Sequence, residues 1–295
     1  MTAASDTGAS VIIPSFNRPD RLAGCLEALM KQDDSDFEVV VVDDGSTTPL
    51  AEVCERFGER VRCIRQDNAG AGPARNRAVE EARGVFLAFI DDDCLPHPDW
   101  LRKLREAHAG DADRLVGGYV LNGLPENVYS STSQGLCDYL YDYFGAAEGN
   151  IDFFTTNNMG CTREGFLAIG GFNTSFPRAG AEDRDFGIRW RESGRHLLYE
   201  PAALVDHFHA MSLKSFLKQH WNYGRGARIL HKQLDVRSSP KPKVESFRFY
   251  RELLLWPLRR YGIRGLRQSF LMGLTQVAMI GGYGYDLLNE RRGRS

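Results

Sequence analysis

Val85-Phe86-Leu87-Ala88-Phe89-Ile90-Asp91-Asp92-Asp93 runs six apolar residues straight into three carboxylates. A short continuous apolar run ended by polar residues is the pattern of a buried parallel strand. Adjacent carboxylates repel one another, and a divalent cation with oxygen ligands relieves that cost. Two earlier segments repeat the form. Ser10-Val11-Ile12-Ile13 stops at Pro14-Ser15-Phe16-Asn17-Arg18, and Phe37-Glu38-Val39-Val40-Val41-Val42 stops at Asp43-Asp44-Gly45-Ser46. Between them, Leu22, Cys25, Leu26, Leu29 and Met30 fall at helical spacing within Asp20 to Lys31. A helix to about Phe57, a strand Val61 to Arg65, a Gly/Ala loop Asn68 to Gly72 and a helix Pro73 to Ala82 complete the alternation. The pattern predicts an α/β fold, Rossmann-like, with a mostly parallel central sheet and helices on both faces. Ligands of such sheets bind beyond the carboxyl ends of the strands, so these ends form the candidate site. Helix caps and solvated turns explain one aspartate-rich end; three converging on one edge point to a ligand. The first strand is followed by no G-x-G-x-x-G, which speaks against a dinucleotide.

The chain holds 295 residues, room for one large domain or two modest ones. Hydrophobic content of 42% with 26% charge excludes wholesale disorder. The net charge of −2 conceals a division. Met1 to Leu213 carries 20 Lys/Arg against 34 Asp/Glu, whereas Lys214 to Ser295 carries 17 against 5. The basic part is therefore expected to face something anionic. The six cysteines (Cys25, Cys54, Cys63, Cys94, Cys137, Cys161) form no C-x-x-C pair, which argues against a zinc ribbon. Met1 to Ala9 lacks the apolar core of a signal peptide, so a cytoplasmic location without disulfides is expected.

Further along, Asp152 to Asn158 reads as a strand running into polar residues, and Gly170-Gly171-Phe172-Asn173 as a turn. Pro177 to Ala181 is a small-residue loop opening into Glu182-Asp183-Arg184-Asp185 and a helix through Arg191. First-turn carboxylates are favoured by the helix dipole whatever else they do. Strand His196 to Tyr199 precedes Val205-Asp206-His207-Phe208-His209. The aromatics of Tyr129 to Phe144 suit the core face of an amphipathic helix, with an acceptor platform as the second reading.

The set Pro14–Arg18, Val42–Ser46, Gly72-Pro73-Ala74-Arg75-Asn76, Phe89–Asp93, Gly170-Gly171-Phe172 and Glu182–Asp185 resembles the family-2 inverting glycosyltransferases of the GT-A fold, over about Ser10 to Gly226. The resemblance implies a nucleotide-diphosphate-sugar donor, most often a UDP-sugar, and Mn²⁺ or Mg²⁺. It implies that Pro14 and Phe16 frame the base, with Phe16 stacking, and that Arg18 belongs to the donor site. By the same likeness, Asp44, helped by Asp43, accepts a hydrogen bond from the base, Arg75 meets base or phosphate, and Asp92 meets the ribose. Asp91 and Asp93 match the family's D-x-D, with Asp93 the principal metal ligand. A late histidine joins the metal in several enzymes of this fold; His207 is the first candidate and His209 the second. Asp183 is the implied general base, with Glu182 shaping the acceptor site. Trp221 to Gly226 resembles a Tyr-Gly-Arg-Gly stretch of membrane-associated members.

These readings divide the chain into a GT-A domain at residues 1–233, a basic Pro/Ser linker at 234–246 and a basic helical extension at 247–295. Within the domain, 10–95 binds nucleotide and 96–226 carries acceptor and catalysis. Gln268 to Tyr285 has no charge, but Gln268, Ser269, Thr275 and Gln276 interrupt it, so a packed or surface-lying helix is expected over a bilayer span. Arginines interleaved with Trp256 and leucines suit an anionic membrane surface, placing the protein peripherally on the inner face of the cell membrane. Packing on the catalytic domain, or on a second copy in a homo-oligomer, is the alternative. Nucleic acid is not expected, because no module for it is present. The expected function is metal-dependent inverting transfer to a hydroxyl acceptor, in polysaccharide or lipid-linked glycan synthesis. A sugar-phosphate nucleotidyltransferase and a non-catalytic sugar-nucleotide or glycan binding module are the rivals.

Overall fold

The computed structural model describes residues 8–146, 151–176, 180–240 and 245–292. It divides into two units, Met1–Leu121 with Ala146–Pro177 and Asp183–Phe208, and Asn122–Gly145 with Arg178–Glu182 and His209–Ser295. Expectations for Met1 to Thr7, for Pro177 to Ala179 of the small-residue loop, and for 241–244 of the linker lie outside the described residues.

The first unit is built on eight strands: β1 (Ala9–Ser15), β2 (Phe37–Asp43), β3 (Val61–Arg65), β4 (Phe86–Phe89), β5 (Cys94–Pro96), β6 (Arg114–Asn122), β7 (Met159–Thr162) and β8 (His196–His207). They form one sheet ordered β3-β2-β1-β4-β7-β6-β8-β5. The expected parallel part is β3-β2-β1-β4. From β4 outward, β7 pairs antiparallel with both β4 and β6, and β5 pairs antiparallel with β8. Both faces of β1 and β2 are covered, which is why their sequences are continuously apolar. Val11, Ile13, Val39 and Val41 pack with Leu22, Cys25, Leu26 and Leu29 of helix α1 (Pro19–Leu29) in the main core. Helix α2 (Ala51–Glu55) adds Val53 and Cys54 to that core, and α3 (Ala71–Glu81) packs on β1 and β2. Register then decides the site. Ser15 lies beside Asp43 and Ile12 beside Phe89, so residues following β1, β2 and β4 emerge together at one edge.

Helices α4 (Trp100–His108), α6 (Arg163–Ala168) and α7 (Glu182–Glu192) complete the unit. One expectation fails in detail: Asp152 to Asn158 is irregular, and strand begins only at Met159. Phe153 lies under the Arg184 guanidinium at 4.6 Å, while Phe154 stacks on Tyr199 at 6.2 Å. Asn158 then donates its backbone N–H to Thr155 at 3.1 Å, closing a turn.

The second unit consists of α5 (Val128–Phe144), α8 (Leu213–Arg237), α9 (Phe247–Tyr261) and α10 (Leu266–Arg292). α8 runs into the stretch read as linker and ends at Ser238, whose φ of 55° caps it in the left-handed region. Tyr139 of α5 is buried with Leu136, Phe249, Leu253 and Met272, and its hydroxyl donates to the Phe249 carbonyl at 2.7 Å. It is therefore a core residue. Among the described residues no helix is long and apolar enough to cross a membrane.

The Tyr223-Gly224-Arg225-Gly226 stretch lies inside α8 and acts in packing. A Cβ at Gly224 would come within 2.0 Å of the Met279 carbonyl, so α8 and α10 approach closely there. Arg225 locks the pair by donating to both Asp286 oxygens at 3.0 Å. Gly224→Val is expected to lower stability by about 1–3 kcal/mol or more, because the intruding atoms meet backbone. Urea unfolding measures this, and a variant as stable as the parent would rule out so close an approach.

Candidate functional site

The three strand ends do meet, and arginines hold them together. Asp92, almost wholly buried, accepts from the Ser15 hydroxyl at 2.6 Å and from Arg18 Nη1 at 3.0 Å. Arg18 also donates to Asp93 Oδ2 at 3.1 Å, and Arg21 to the same oxygen at 2.9 Å. Asp91 accepts from Arg75 Nη2 at 2.5 Å. The repulsion among three adjacent carboxylates is thus met by three arginines of this chain. Arg21 was not singled out in the sequence, although its place one helical turn after Arg18 was the available signal.

Asp43 and Asp44 turn inward to the protein. Asp43 accepts the Ser46 and Leu50 N–H groups at 2.9 and 3.2 Å and pairs with Arg65 at 2.8 Å. Burial would raise its pKa, but the Ser46 contacts, the Leu50 N–H and the Arg65 charge together hold the carboxyl below its usual range. Asp44 accepts from Gln66 Nε2, Ala69 N and Gly70 N at 2.8, 2.9 and 2.8 Å. Both carboxylates therefore shape the loops beside the site. Asn17, at φ 56°, receives the Thr47 N–H on its side chain at 2.7 Å. Next to it, Phe16 stands 44% exposed, a ring free on the rim beside Pro14 at the end of β1.

Arg75 is the least ordinary group. Its side chain is buried, it stands over the Phe172 ring at 5.7 Å, and its Nε and Nη1 find no hydrogen-bond partner among the described residues. A buried donor left unpaired is costly unless a ligand completes it. Phe172 belongs to an aromatic cluster with Phe89, Phe166 and Phe186, its ring 4.8 Å from that of Phe186. Its backbone is tied to Asn76 by two reciprocal bonds of 2.8 Å. Those contacts account for the Gly-Gly-Phe and Arg-Asn segments as the floor under Arg75.

At the start of α7, burial pushes the Asp183 carboxyl above the usual range, opposed by the Arg184 N–H at 2.7 Å and by the charges of Arg184 and Arg75. Glu182 accepts the Gly180 N–H at 2.6 Å. Asp185, fully buried, pairs with Arg189 at 2.7 Å and serves the helix. His207 places Nε2 3.3 Å from Asp93 Oδ1, whereas His209 lies beyond the end of β8. The donor atoms of Asp93, Cys94 and His207 lie within 4.8 Å of one another, a set that fits a divalent cation.

A model of glycosyl transferase family 2 matches residues 10–174. Glycosyltransferase GlyG of Streptococcus pneumoniae is 30% identical over 165 residues, 54% of this chain and 47% of that protein. Chondroitin synthase of Escherichia coli is 36% identical over 236 residues, 68% of this chain and 34% of that protein. The chain thus spans half or less of the length of these relatives. Among solved structures, mannosyltransferase PcManGT of Pyrobaculum calidifontis, in complex with GDP-Man and Mn²⁺, matches with a TM-score of 0.64 at 19% identity, over 92% of this chain and 73% of that one. At that identity the likeness establishes the fold, which is GT-A.

Burial pushes Asp92 up to about 6, against the lowering effects of Arg18 and the Ser15 hydroxyl. A carboxyl raised on folding adds stability below its unfolded pKa and loses it as pH rises through the folded value. The shift from 3.8 to about 6 corresponds to roughly 3 kcal/mol. Asp92→Asn is accordingly expected to gain stability on the parent between about pH 4 and pH 7, with little difference at the lower end. Urea unfolding across that range would reject the idea if the gap did not widen.

Proposed function

The chain belongs to glycosyl transferase family 2, and from that footing we propose that it moves a sugar from a nucleotide-diphosphate donor to a hydroxyl acceptor with inversion. The observation that carries the reading is Arg75. A buried guanidinium with two N–H-bearing nitrogens unpartnered among the described residues, next to Asp91 and close to a carboxyl of raised pKa, suits an anion reacting beside a base.

Asp183 takes the proton of the acceptor hydroxyl as that oxygen attacks the anomeric carbon. The bond from that carbon to the diphosphate oxygen breaks on the opposite side, and the electron pair leaves with the nucleoside diphosphate. One displacement needs one base and no enzyme nucleophile. Arg75 donates to the departing phosphates, where charge accumulates. Mn²⁺ or Mg²⁺, held by Asp93 and His207 with Asp91 nearby, supplies Lewis-acid charge balance when bound. Phe16, with Pro14, offers the base its stacking face, Asp92 reaches the ribose, and Arg18 steadies that carboxylate for it. Asp43 and Asp44 fix the loops around the base, which we assign to uracil; PcManGT holds GDP-Man, so UDP- and GDP-sugars are the donors to compare first. Glu182 borders the acceptor, a growing polysaccharide or a lipid-linked glycan.

Asp183→Asn is expected to retain donor binding by calorimetry while transfer falls by about 10²–10⁴. Since the base works unprotonated and its pKa is raised, the acid limb of kcat/KM should lie above the ordinary carboxylate range and vanish with the variant. Near-normal turnover would remove Asp183 from the role.

We further assign the second unit to an anionic membrane surface on the inner face of the cell membrane. Leu266, Phe270, Val277, Ile280 and Leu288 are exposed at spacings of four, seven, three and eight residues along one face of α10, Ile280 at 72%. Arg259, Arg260, Arg264 and Arg267 stand exposed in the stretch that leads into α10 and its first turn, Arg259 pairing with Glu252. An apolar stripe beside a cationic cluster complements acidic headgroups over acyl chains. The protein should co-sediment with vesicles containing phosphatidylglycerol far more than with phosphatidylcholine alone, and Phe270→Ser with Ile280→Ser should abolish this. Vesicle-independent dimerisation lost in the same variant would assign the face to a second copy instead.

A further inference from the structure

We propose that a cavity between α5 and α9 binds an anionic sugar chain, its rings against Tyr143 and Trp256 and its carboxylates or phosphates on Arg248 and Arg251. The inference rests on the reading of the chain as a transferase with a glycan acceptor and deepens it by naming the charge of that glycan. The cavity holds about 500 Å³, within the range of small-ligand sites. Both walls belong to the second unit. Tyr139, Asp142 and Tyr143 share one face of α5 at steps of three and four residues. Opposite them, Arg248, Glu252, Trp256 and Arg259 follow one face of α9 at the same steps, with Arg251 beside Glu252.

The walls are fixed without a ligand. The Tyr139 hydroxyl donates to the Phe249 carbonyl at 2.7 Å and so pins α5 to α9. Tyr143 meets the Phe249 ring edge to face at 4.9 Å, yet remains 36% exposed. Gly135 makes room for the Trp256 indole, because a Cβ there would meet the ring at 3.1 Å. The indole N–H is directed at Asp142 Oδ2, 3.4 Å away. Aromatic faces carry negative charge density, which attracts the C–H face of a pyranose.

Charge then selects among sugars. Three guanidiniums against two carboxylates leave the lining positive. Glu252 accepts from Arg251 at 2.9 Å and from Arg259, each through one nitrogen. That sharing orients both guanidiniums and leaves their other nitrogens to a ligand. Arg248 has no hydrogen-bond or ion-pair partner among the described residues. Guanidinium groups grip carboxylates and phosphates bidentately, while Asp142 can accept hydroxyl groups. The bland alternative is a gap between two helices whose arginines serve Glu252. It accounts for Arg251 and Arg259, but not for Arg248 beside an exposed aromatic ring. A layer of acidic headgroups or a nucleic-acid backbone would meet Asp142 and Glu252 as repulsion. A sugar chain uses them, because its hydroxyls donate to carboxylates.

Calorimetry and tryptophan fluorescence on the full chain test this. The probes are a tetrasaccharide of alternating glucuronate and N-acetylglucosamine, glucose 6-phosphate, uncharged chitotetraose and inorganic phosphate. The two charged sugars should bind, and the other two at least about tenfold more weakly. Arg248→Gln with Arg251→Gln, both on exposed side chains, should weaken the charged sugars by about tenfold or more, and high salt should act in the same direction. Tyr143→Ala should weaken the tetrasaccharide, and Trp256→Phe should remove the fluorescence response. Unchanged affinity in the double arginine variant would overturn the site, as would binding of neither charged sugar. Displacement by UDP or GDP would place the sugar at the nucleotide site and also overturn it. Phosphate binding as tightly as the sugars would make the cavity a plain anion site. Loss of phosphatidylglycerol vesicles in place of sugars would make it part of a membrane surface; either result overturns the proposal. Sugar binding by a chain that transfers nothing from UDP- or GDP-sugars would overturn the transferase reading and uphold the cavity.

Discussion

Three consecutive carboxylates at the end of one strand can coexist only if each finds compensation, and in this protein arginines provide it. Arg18 bridges Asp92 and Asp93, Arg21 adds to Asp93, and Arg75 answers Asp91. The arrangement depends on register, because Ile12 beside Phe89 brings Arg18 and Arg21 to the same edge as the aspartates. Arg18 and Arg21 are substantially exposed, so each pair alone is worth little. Their common effect is orientation: one oxygen of Asp93 is engaged and the other faces His207.

This compensation changes the argument for a cation. Charge repulsion in the Asp91-Asp92-Asp93 run suggested a divalent ion, but the three arginines already relieve much of it. What favours an ion is instead the convergence of unlike donors on Asp93, with His207 arriving from β8. A histidine and a carboxylate brought together by antiparallel pairing, more than a hundred residues apart in the chain, are a better sign of a cation than three neighbouring acids. Unlike donors select among ions, whereas an acidic run merely attracts positive charge.

The readable parts of the sequence were those that local periodicity controls. The strands Phe37 to Val42 and Val61 to Arg65 and the helix beginning near Asp20 appear where expected, since apolar spacing reports burial directly. Asp152 to Asn158 misled because two adjacent phenylalanines resemble a strand, while the chain turns there, with Asn158 N donating to the Thr155 carbonyl. The inward turn of Asp44 was equally illegible. Nothing local to Asp43-Asp44 reveals that Gln66, Ala69 and Gly70 will occupy the second carboxylate, because that depends on where the chain after β3 returns. His207 was the first candidate in the sequence, but its position 3.3 Å from Asp93 follows from the register of β8 and was not legible there.

The charge division read from the sequence now has two physical sources. In the first unit, acidic side chains such as Asp43, Asp44 and Asp92 are buried against hydroxyls, backbone N–H groups and arginines. In the second, Arg225 and Arg228 are consumed within the helical unit by Asp286 and Glu290, with Lys232 joining the latter. Arg259 pairs with Glu252 in the same way, and Arg260, Arg264 and Arg267 stand exposed around the junction of α9 and α10. Composition alone would have spread that charge over the whole tail. Subtracting the internal pairs leaves exposed arginines in the segment leading into α10, the helix that leaves Phe270, Val277 and Ile280 in water, and an apolar stripe so exposed is hard to explain by packing inside the unit.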